Sequence, residues 1–304
     1  MTSLDEPVSG RTAYARLLFL VALCCFLLSA CSGSGGTGSS AGSSSGSGGG
    51  SGGGGGTGST PPTALSCVGY PQTEQNSARV CVILQESAQV TPSLTVTTLA
   101  GNLTGHGQDN LQSFVVYARI VARDVNERAA TTLANSVVIN TANGNVSATP
   151  DHTTSSTQSL QIDFEVFTAQ TTSLTLTATD GNLAVDNYNA IVNLMTDAGT
   201  ADLSAVQGQE TVNVNNGNID VTLTGTSFTG AGITAKVANA GNVTASRPVG
   251  FQAAFTAEVT NAGVASIDGQ QQTAPLPNSP AVVTSGTGAP ILLQTNKGNA
   301  TVTN

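Results

Sequence analysis

From residue 62 onward, apolar and polar residues alternate along the chain with a period of two. The segment "SFVVYARIVARD" at 113–124 is an example, with one face made of Phe114, Val116, Ala118, Ile120 and Ala122. The same alternation recurs in "SLQIDFEVF", "SLTLTATD", "NIDVTLTG" and "FQAAFTAEV", while helical periodicity is scarce. Successive side chains of a strand point to opposite faces, and one-sided burial is typical of antiparallel sheets. The pattern therefore predicts an all-β protein built from antiparallel sheets.

A Gly-Asn pair followed by a mostly aliphatic residue recurs between the alternating segments. It occurs at residues 101–103, 144–146, 181–183, 217–219, 241–243 and 298–300. Glycine and asparagine supply the positive φ angles that tight β-hairpins require. The pairs therefore predict hairpin turns.

The first thirty residues have the pattern of an export signal. A twelve-residue apolar run, "LLFLVALCCFLL", follows Arg11 and Arg16. It is too short to span a bilayer, which takes about 20 residues, and fits the apolar region of a signal peptide. The next residues, "LSAC" at 28–31, resemble the lipobox of bacterial lipoproteins. That resemblance implies a signal peptide at residues 1–30, acylation of Cys31 and, with Ser32 next, an outer-membrane destination. The alternative is an ordinary signal peptide cut elsewhere.

The segment after Cys31 consists almost entirely of glycine and serine. Such residues lose much conformational entropy on ordering and bury no apolar surface in return. We therefore expect residues 31–61 to be a lipidated cysteine followed by a disordered linker, with a root-mean-square span of about 30 Å.

Two cysteines, Cys67 and Cys81, follow the linker. An exported protein reaches a compartment that permits disulfides, and a loop of this size would stabilise the fold by about 3 kcal/mol. Zinc ligation is the alternative, but no histidine lies near the two thiols. The spacing favours a disulfide.

The region after the linker is similar to a known bacterial domain type. The stretch "SLTLTATDGNLAVDNYNAIVNLMTDAGTADLSAVQGQETVNVNNGNIDVTLTGTSFTGAGITAKVANAG" resembles the Ig-like domains of the invasin/intimin group. Residues 112–179 can be aligned with the same pattern. The resemblance implies tandem Ig-like antiparallel β-sandwich domains. Their expected bounds are 62–111 for an N-terminal β segment, 112–170 and 171–245 for two sandwiches, and 246–304 for a C-terminal β segment.

The charge distribution excludes several classes of partner. The net charge is −9, only 9% of the residues are charged, and no block of like charges occurs. Nucleic-acid binding requires clustered Lys and Arg, and a basic membrane-surface helix is also missing. We expect no cofactor and no nucleic-acid partner.

Candidate catalytic residues are few. The two histidines, His106 and His152, both lie in Gly- or Ser/Thr-rich stretches that predict loops. A triad of His152 and Asp151 with Ser155 or Ser156 is conceivable, but triad members normally converge from different elements. The sequence favours a non-enzymatic protein.

Calcium is a weaker candidate ligand. Asp124 and Asn126 follow one predicted strand, and Asp180 and Asp186 flank another. Calcium takes six to eight oxygen ligands, but Asp and Asn are also ordinary turn residues. We interpret these four mainly as turn residues.

Together these features predict a non-enzymatic, surface-displayed lipoprotein that serves in adhesion, in binding or as a spacer. Its partners would be the membrane, through the lipid, and a protein or glycan on a host, a neighbouring cell or the envelope. One alternative is a periplasm-facing subunit of an envelope assembly. The other is a hydrolase or carbohydrate-active protein, marked by a histidine and a carboxylate in one cleft.

Overall fold

A computed structural model of the chain describes residues 63–151, 155–274 and 279–304. The described residues lie in one compact unit. The predicted signal peptide, Cys31 and the Gly/Ser linker lie outside them.

The first half of this unit contains long strands and one helix. Its elements are β1 (Gln72–Glu74), β2 (Ser77–Gln89), β3 (Ser93–Ala100), β4 (Leu103–Gln108), β5 (Ser113–Asp124), α1 (Glu127–Asn135), β6 (Val137–Asn140), β7 (Asn145–Pro150) and β8 (Ser159–Ala169).

The second half is a series of strand pairs, each a longer strand followed by a short one. The pairs are β9 (Ser173–Asp180) with β10 (Leu183–Asp186), β11 (Ile191–Ala198) with β12 (Ala201–Ser204), β13 (Gln209–Asn216) with β14 (Ile219–Thr222), and β15 (Gly232–Ala240) with β16 (Val243–Ser246). The last strands are β17 (Ala254–Ala262), β18 (Val264–Ile267), β19 (Gln270–Thr273), β20 (Ala281–Ser285), β21 (Pro290–Lys297) and β22 (Ala300–Thr303).

The described strands form two sheets that share the core between them. Sheet A has the order β1-β2-β5-β8-β4-β10-β12-β14-β16-β22-β18-β19, and sheet B has the order β20-β17-β21-β15-β13-β11-β9-β3-β7-β6. Each pair from β9/β10 to β15/β16 places its longer strand in sheet B and its shorter strand in sheet A. Neighbouring pairs run parallel and in register, as in Leu183↔Ala201 and Ala201↔Ile219. The pairs are therefore successive coils of a β-solenoid.

The prediction of an all-β protein is confirmed, but tandem antiparallel Ig-like sandwiches are wrong. Strands from the expected domains 112–170, 171–245 and 246–304 are joined into the same two continuous sheets, and the coil strands pair in parallel. The alternation of apolar and polar residues reports only that one face of a strand is buried. It does not report the direction of the neighbouring strand, because a solenoid coil also buries one face of each strand.

The predicted buried faces are confirmed. Phe114, Val116, Ala118, Ile120 and Ala122 of β5 are fully buried. The inward residues of the coil strands behave in the same way, including Leu174, Leu176, Ile219, Val221, Phe255, Ala257 and Val259. These side chains fill the space between the two sheets.

The Gly-Asn pairs are corners between sheet B and sheet A, so the hairpin-turn prediction is wrong for five of the six. Gly101, Gly181, Gly199, Gly217, Gly241, Gly298 and Gly263 stack along the solenoid at positive φ. A Cβ atom on Gly217 would lie 1.7 Å from the carbonyl oxygen of Gly199. Only glycine allows the backbones of successive coils to approach so closely. In the sixth pair, Gly144 ends a short 3-10 turn and Asn145 is the first residue of β7.

The asparagines that follow these glycines bond the corners to one another. The backbone N–H of Asn182 donates to Oδ1 of Asn102 at 3.0 Å, and that of Asn242 donates to Oδ1 of Asn218 at 2.9 Å. Thr200, which replaces asparagine after Gly199, donates its N–H to Oδ1 of Asn182 at 2.9 Å. The side chains thus satisfy corner N–H groups that lie between the two sheets.

The sequence patterns did not predict helix α1. Asn126 caps its N-terminus, since Oδ1 of Asn126 accepts the N–H of Ala129 at 2.9 Å. The helix packs Ala130, Leu133 and Ala134 into the core. Within the described parts of the chain, no helix has the length and apolar character needed to cross a lipid bilayer.

Candidate functional site

The outer face of sheet A is covered where β4, β5 and β8 lie side by side. The covering chain is residues 63–67, here called the N-terminal strap, which directly follows the Gly/Ser-rich sequence. Beneath it lies a small apolar cluster of Val115, Tyr117 and Phe167, against which Leu65 packs. This cluster is separate from the core between the sheets, so the strap packs on an apolar surface outside that core.

Glu165 of β8 bonds the strap to the sheet. Its Oε2 accepts the N–H of Ala64 at 2.8 Å and the hydroxyl hydrogen of Thr63. The Glu165 side chain is only 4% exposed. Alternation predicts an outward position for Glu165, and the strap buries it there.

Two further contacts fasten the strap. Cys67 forms a disulfide with Cys81 of β2, with their Cα atoms 5.5 Å apart, so the predicted disulfide is present. Arg119 of β5 donates to the carbonyl oxygen of Ser66 at 3.3 Å while its guanidinium pairs with buried Asp163. The strap is therefore held by one covalent bond and by polar contacts to two strands.

His106 lies between two carboxylates on this outer face. Its Nδ1 is 2.6 Å from Oδ2 of Asp186 on β10, and its Nε2 is 3.2 Å from Oε1 of Glu165. The three residues are here called the latch cluster. They are cross-strand neighbours, because β4 lies between β8 and β10. The imidazole also stacks on Phe167, with ring centroids 4.7 Å apart.

The surroundings of His106 shift its pKa upward. Burial lowers the pKa of the imidazole, but the hydrogen bond to Asp186 and the charges of Asp186 and Glu165 outweigh it. The net pKa lies above the ordinary value for histidine, so the cluster favours imidazolium. The side chains of His106 and Asp186 are 25% and 30% exposed, so protons can reach them from solvent.

The prediction that His106 lies in a loop is wrong, since it lies on β4. The glycines around it, Gly105 and Gly107, have no side chains to place in the core, and Tyr188 and Leu174 lie beneath Gly105. The glycines that suggested a loop are thus packing positions of a strand.

The latch cluster brings a histidine and carboxylates together without a nucleophile. A triad requires one imidazole nitrogen to accept a proton from a hydroxyl or thiol. In this cluster a carboxylate occupies the partner position of each ring nitrogen. The arrangement therefore suits the binding of a proton better than the activation of a nucleophile. The rival triad is centred on His152, which lies outside the described residues, whereas Ser155 bonds to Thr157 and Gln158.

The four weak calcium candidates have other partners or separate positions. Asp124 accepts hydrogen bonds from Val125 and Gln158, while Asn126 caps α1. Asp180 lies at an exposed corner, and Asp186 pairs with His106. Among the described residues no three His, Cys, Asp or Glu side chains form a group that could hold a metal ion.

A groove of about 460 Å³ opens where β7 diverges from β3. The two strands pair only at Thr95↔Asn145 and Val96↔Val146. Beyond that point the walls are uncharged, and they include Leu99, Pro150, Leu160 and Ile162. Leu99 is 83% exposed, so the groove presents an apolar side chain at its edge.

Sequence patterns alone did not indicate the latch cluster or the groove. Glu165, His106 and Asp186 are far apart in the chain, and only the order β8-β4-β10 makes them neighbours. Thr63 looks like the end of a linker in sequence. One signal of a polar outer face was the alternation of Asp163 and Glu165 with apolar residues in β8. Arg119 alternates with apolar residues in β5 in the same way.

The solenoid of stacked parallel coils can be compared with known families. The Toastrack DUF4097 family matches residues 83–303, which include every element from β3 to β22. The chain belongs to this family. The N-terminal strap and both disulfide cysteines precede the matched residues, whereas the three members of the latch cluster lie within the Toastrack domain.

Structural comparison matches the chain to solved structures from several bacteria. One from Clostridium sporogenes, described as a "putative cell adhesion protein", is 11% identical, with 73% of this chain and 99% of that chain covered and a TM-score of 0.36. One from Bacteroides fragilis, described as a "putative adhesin", is 12% identical, with 73% and 97% covered and a TM-score of 0.37. A "putative lipid binding protein" from Parabacteroides distasonis is 7% identical, with 73% and 97% covered and a TM-score of 0.25. A comparison with curated protein sequences found no match.

Proposed function

We propose that this protein is a non-enzymatic lipoprotein that holds a Toastrack solenoid at the bacterial outer membrane for adhesion or binding. In this proposal Cys31 carries the lipid, and the Gly/Ser-rich linker spans the distance between the membrane and the solenoid. The groove between β3 and β7 offers an uncharged surface for a protein or glycan.

The observation that carries the proposal is the way the strap is fastened. A load applied through the linker reaches the folded part at residues 63–67 and passes through the Cys67–Cys81 disulfide to β2. Strand β2 pairs with β5 over twelve residue pairs, so the load is spread along a long ladder. A covalent bond at the point of entry suits a domain that is held by a tether.

The latch cluster supports the non-enzymatic part of the proposal, because a carboxylate lies within hydrogen-bond distance of each imidazole nitrogen of His106. A periplasm-facing subunit is the second candidate, because the same fastening would serve a tether on either face of the outer membrane.

Lipidation is tested by feeding cells labelled palmitate and isolating the protein. We expect label in wild type and in the Cys24→Ser variant, and none in Cys31→Ser, since only Cys31 carries lipid in the mature chain. Label that persists in Cys31→Ser would disprove the anchor.

The display face is tested by digesting intact cells with proteinase and probing with antiserum against residues 112–304. Loss of the solenoid while a periplasmic control protein survives supports surface display. Survival until the outer membrane is opened supports the periplasm-facing subunit instead.

A further inference from the structure

We propose that His106, Glu165 and Asp186 form a proton-operated latch that holds the N-terminal strap on sheet A when His106 is protonated. The latch goes beyond the proposed function, because it depends on contacts within the folded part and on neither lipidation nor the membrane face.

The mechanism depends on Glu165 being shared. One oxygen of its carboxylate, Oε1, faces Nε2 of His106, while the other, Oε2, accepts from Ala64 and Thr63 of the strap. Any change that moves the carboxylate therefore acts on both contacts. The side chain of Glu165 is almost wholly buried, so it has few alternatives inside the site.

The protonated state closes the latch. Imidazolium donates from both ring nitrogens, so His106 can bond Asp186 and Glu165 at the same time. Its charge compensates Glu165, which would otherwise be a buried, uncompensated carboxylate. Glu165 is then fixed in the position in which Oε2 accepts from the strap.

Loss of the proton opens the latch. Neutral imidazole carries one N–H, and the shorter contact, 2.6 Å to Asp186, retains it at Nδ1. The lone pair of Nε2 then faces Oε1 of Glu165 at 3.2 Å with no hydrogen between them. Glu165 relieves this repulsion by turning toward water, and it thereby releases Ala64 and Thr63.

Other charged and titratable groups face the cluster from the strands on either side. On β5, Tyr117 borders Glu165 across the strand pair, and its ring meets the edge of Phe167. Arg119 is committed to Asp163 at 2.6 Å. On the other side, β12 brings only a further carboxylate, Asp202.

The latch predicts a direction of pH dependence. Because the pKa of His106 is raised in the folded protein, protonation stabilises the strap contact fully below the ordinary histidine pKa. That stabilisation is lost as pH rises through the folded-state pKa. The strap is therefore held at mildly acidic pH and loosened at alkaline pH.

The test is hydrogen exchange of the full-length protein in detergent micelles at about pH 5.5 and about pH 8.5, corrected for intrinsic exchange rates. We expect protection of the Ala64 amide to fall by about tenfold at the higher pH, the size expected for losing a hydrogen bond to a charged group. Amides of β21 serve as the internal reference and should not change.

Three variants complete the test. His106→Gln and Glu165→Gln should each abolish the pH dependence at Ala64, whereas Glu86→Gln, an exposed carboxylate on β2, should retain it. Equal wild-type protection at both pH values would overturn the latch. So would pH dependence that persists in His106→Gln, or loss of protection that includes β21. The wild-type profile decides the matter even if a variant fails to fold, and none of these results depends on where the protein is displayed.

Discussion

At the scale of single residues, Glu210 is a carboxylic acid buried in the core between the two sheets. It lies on the inward face of β13 between Val192 and Ile233, and it is 1% exposed. Its Oε1 accepts the N–H of Gly208 at 2.7 Å, whereas Oε2 has no partner among the described residues. Burial raises the pKa of Glu210 to about 7, although the hydrogen bond from Gly208 opposes the shift. The proton is therefore retained in the folded state at pH values where the unfolded chain has lost it.

The Glu210→Gln variant should be more stable than wild type at alkaline pH. Wild-type stability falls as pH rises from the ordinary glutamate pKa to about 7, because the folded state then binds a proton that the unfolded state does not. Glutamine keeps the acceptor for Gly208 and has no charge to bury. We expect a gain of up to about 3 kcal/mol near pH 8 and almost none near pH 4, measured by urea denaturation. An equal effect at both pH values would contradict the prediction, and Glu86→Gln is the exposed control.

At the scale of elements, the stacked corners determine the spacing of the coils. Gly181, Gly199 and Gly217 are 18 residues apart, which is the length of one coil. This 18-residue period is present in the sequence. It is hard to recognise there because Thr200 replaces asparagine at one corner and because later coils carry insertions. The existence of the strands and their inward faces could be predicted from alternation. The stacking of the coils could not, because it depends on hydrogen bonds between the asparagine side chain of one corner and the backbone N–H of the next.

Substituting a stacked glycine should be much more destabilising than substituting an open one. In Gly217→Ala the new methyl group would collide with the backbone of Gly199, at a φ of 143° that alanine rarely adopts. We expect a loss of at least about 3 kcal/mol. The control is Gly225→Ala, with φ near 80° and no atom within 4 Å of the new Cβ, which should cost about 1 to 2 kcal/mol. Similar losses in thermal unfolding would contradict the packing role of the corner.

At the scale of the whole molecule, the strand order does not follow the chain order. The coil β21/β22 lies between β15/β16 and β17/β18 in both sheets. The chain passes this position after β16 and returns to it only at residues 290–303. No local pattern in the sequence could predict this insertion, because each strand of the last coil has the same alternation as the others.

The inserted coil should couple the parts of the solenoid on its two sides. Leu293 of β21 is fully buried and pairs with Ala235 and Ala257. Leu293→Ala should cost about 2 to 5 kcal/mol and raise hydrogen exchange in both β15 and β17. Leu292→Ala, on the outer face of the same strand, should cost less than about 1 kcal/mol. Exchange that rises on only one side of β21 would show that the two parts unfold independently.

The late position of β21 and β22 in the chain also fixes when the solenoid can be completed. Until residues 290–303 emerge from the ribosome, β16 and β18 cannot obtain the neighbour that separates them. The two sheets can therefore become continuous only after residues 290–303 have been synthesised.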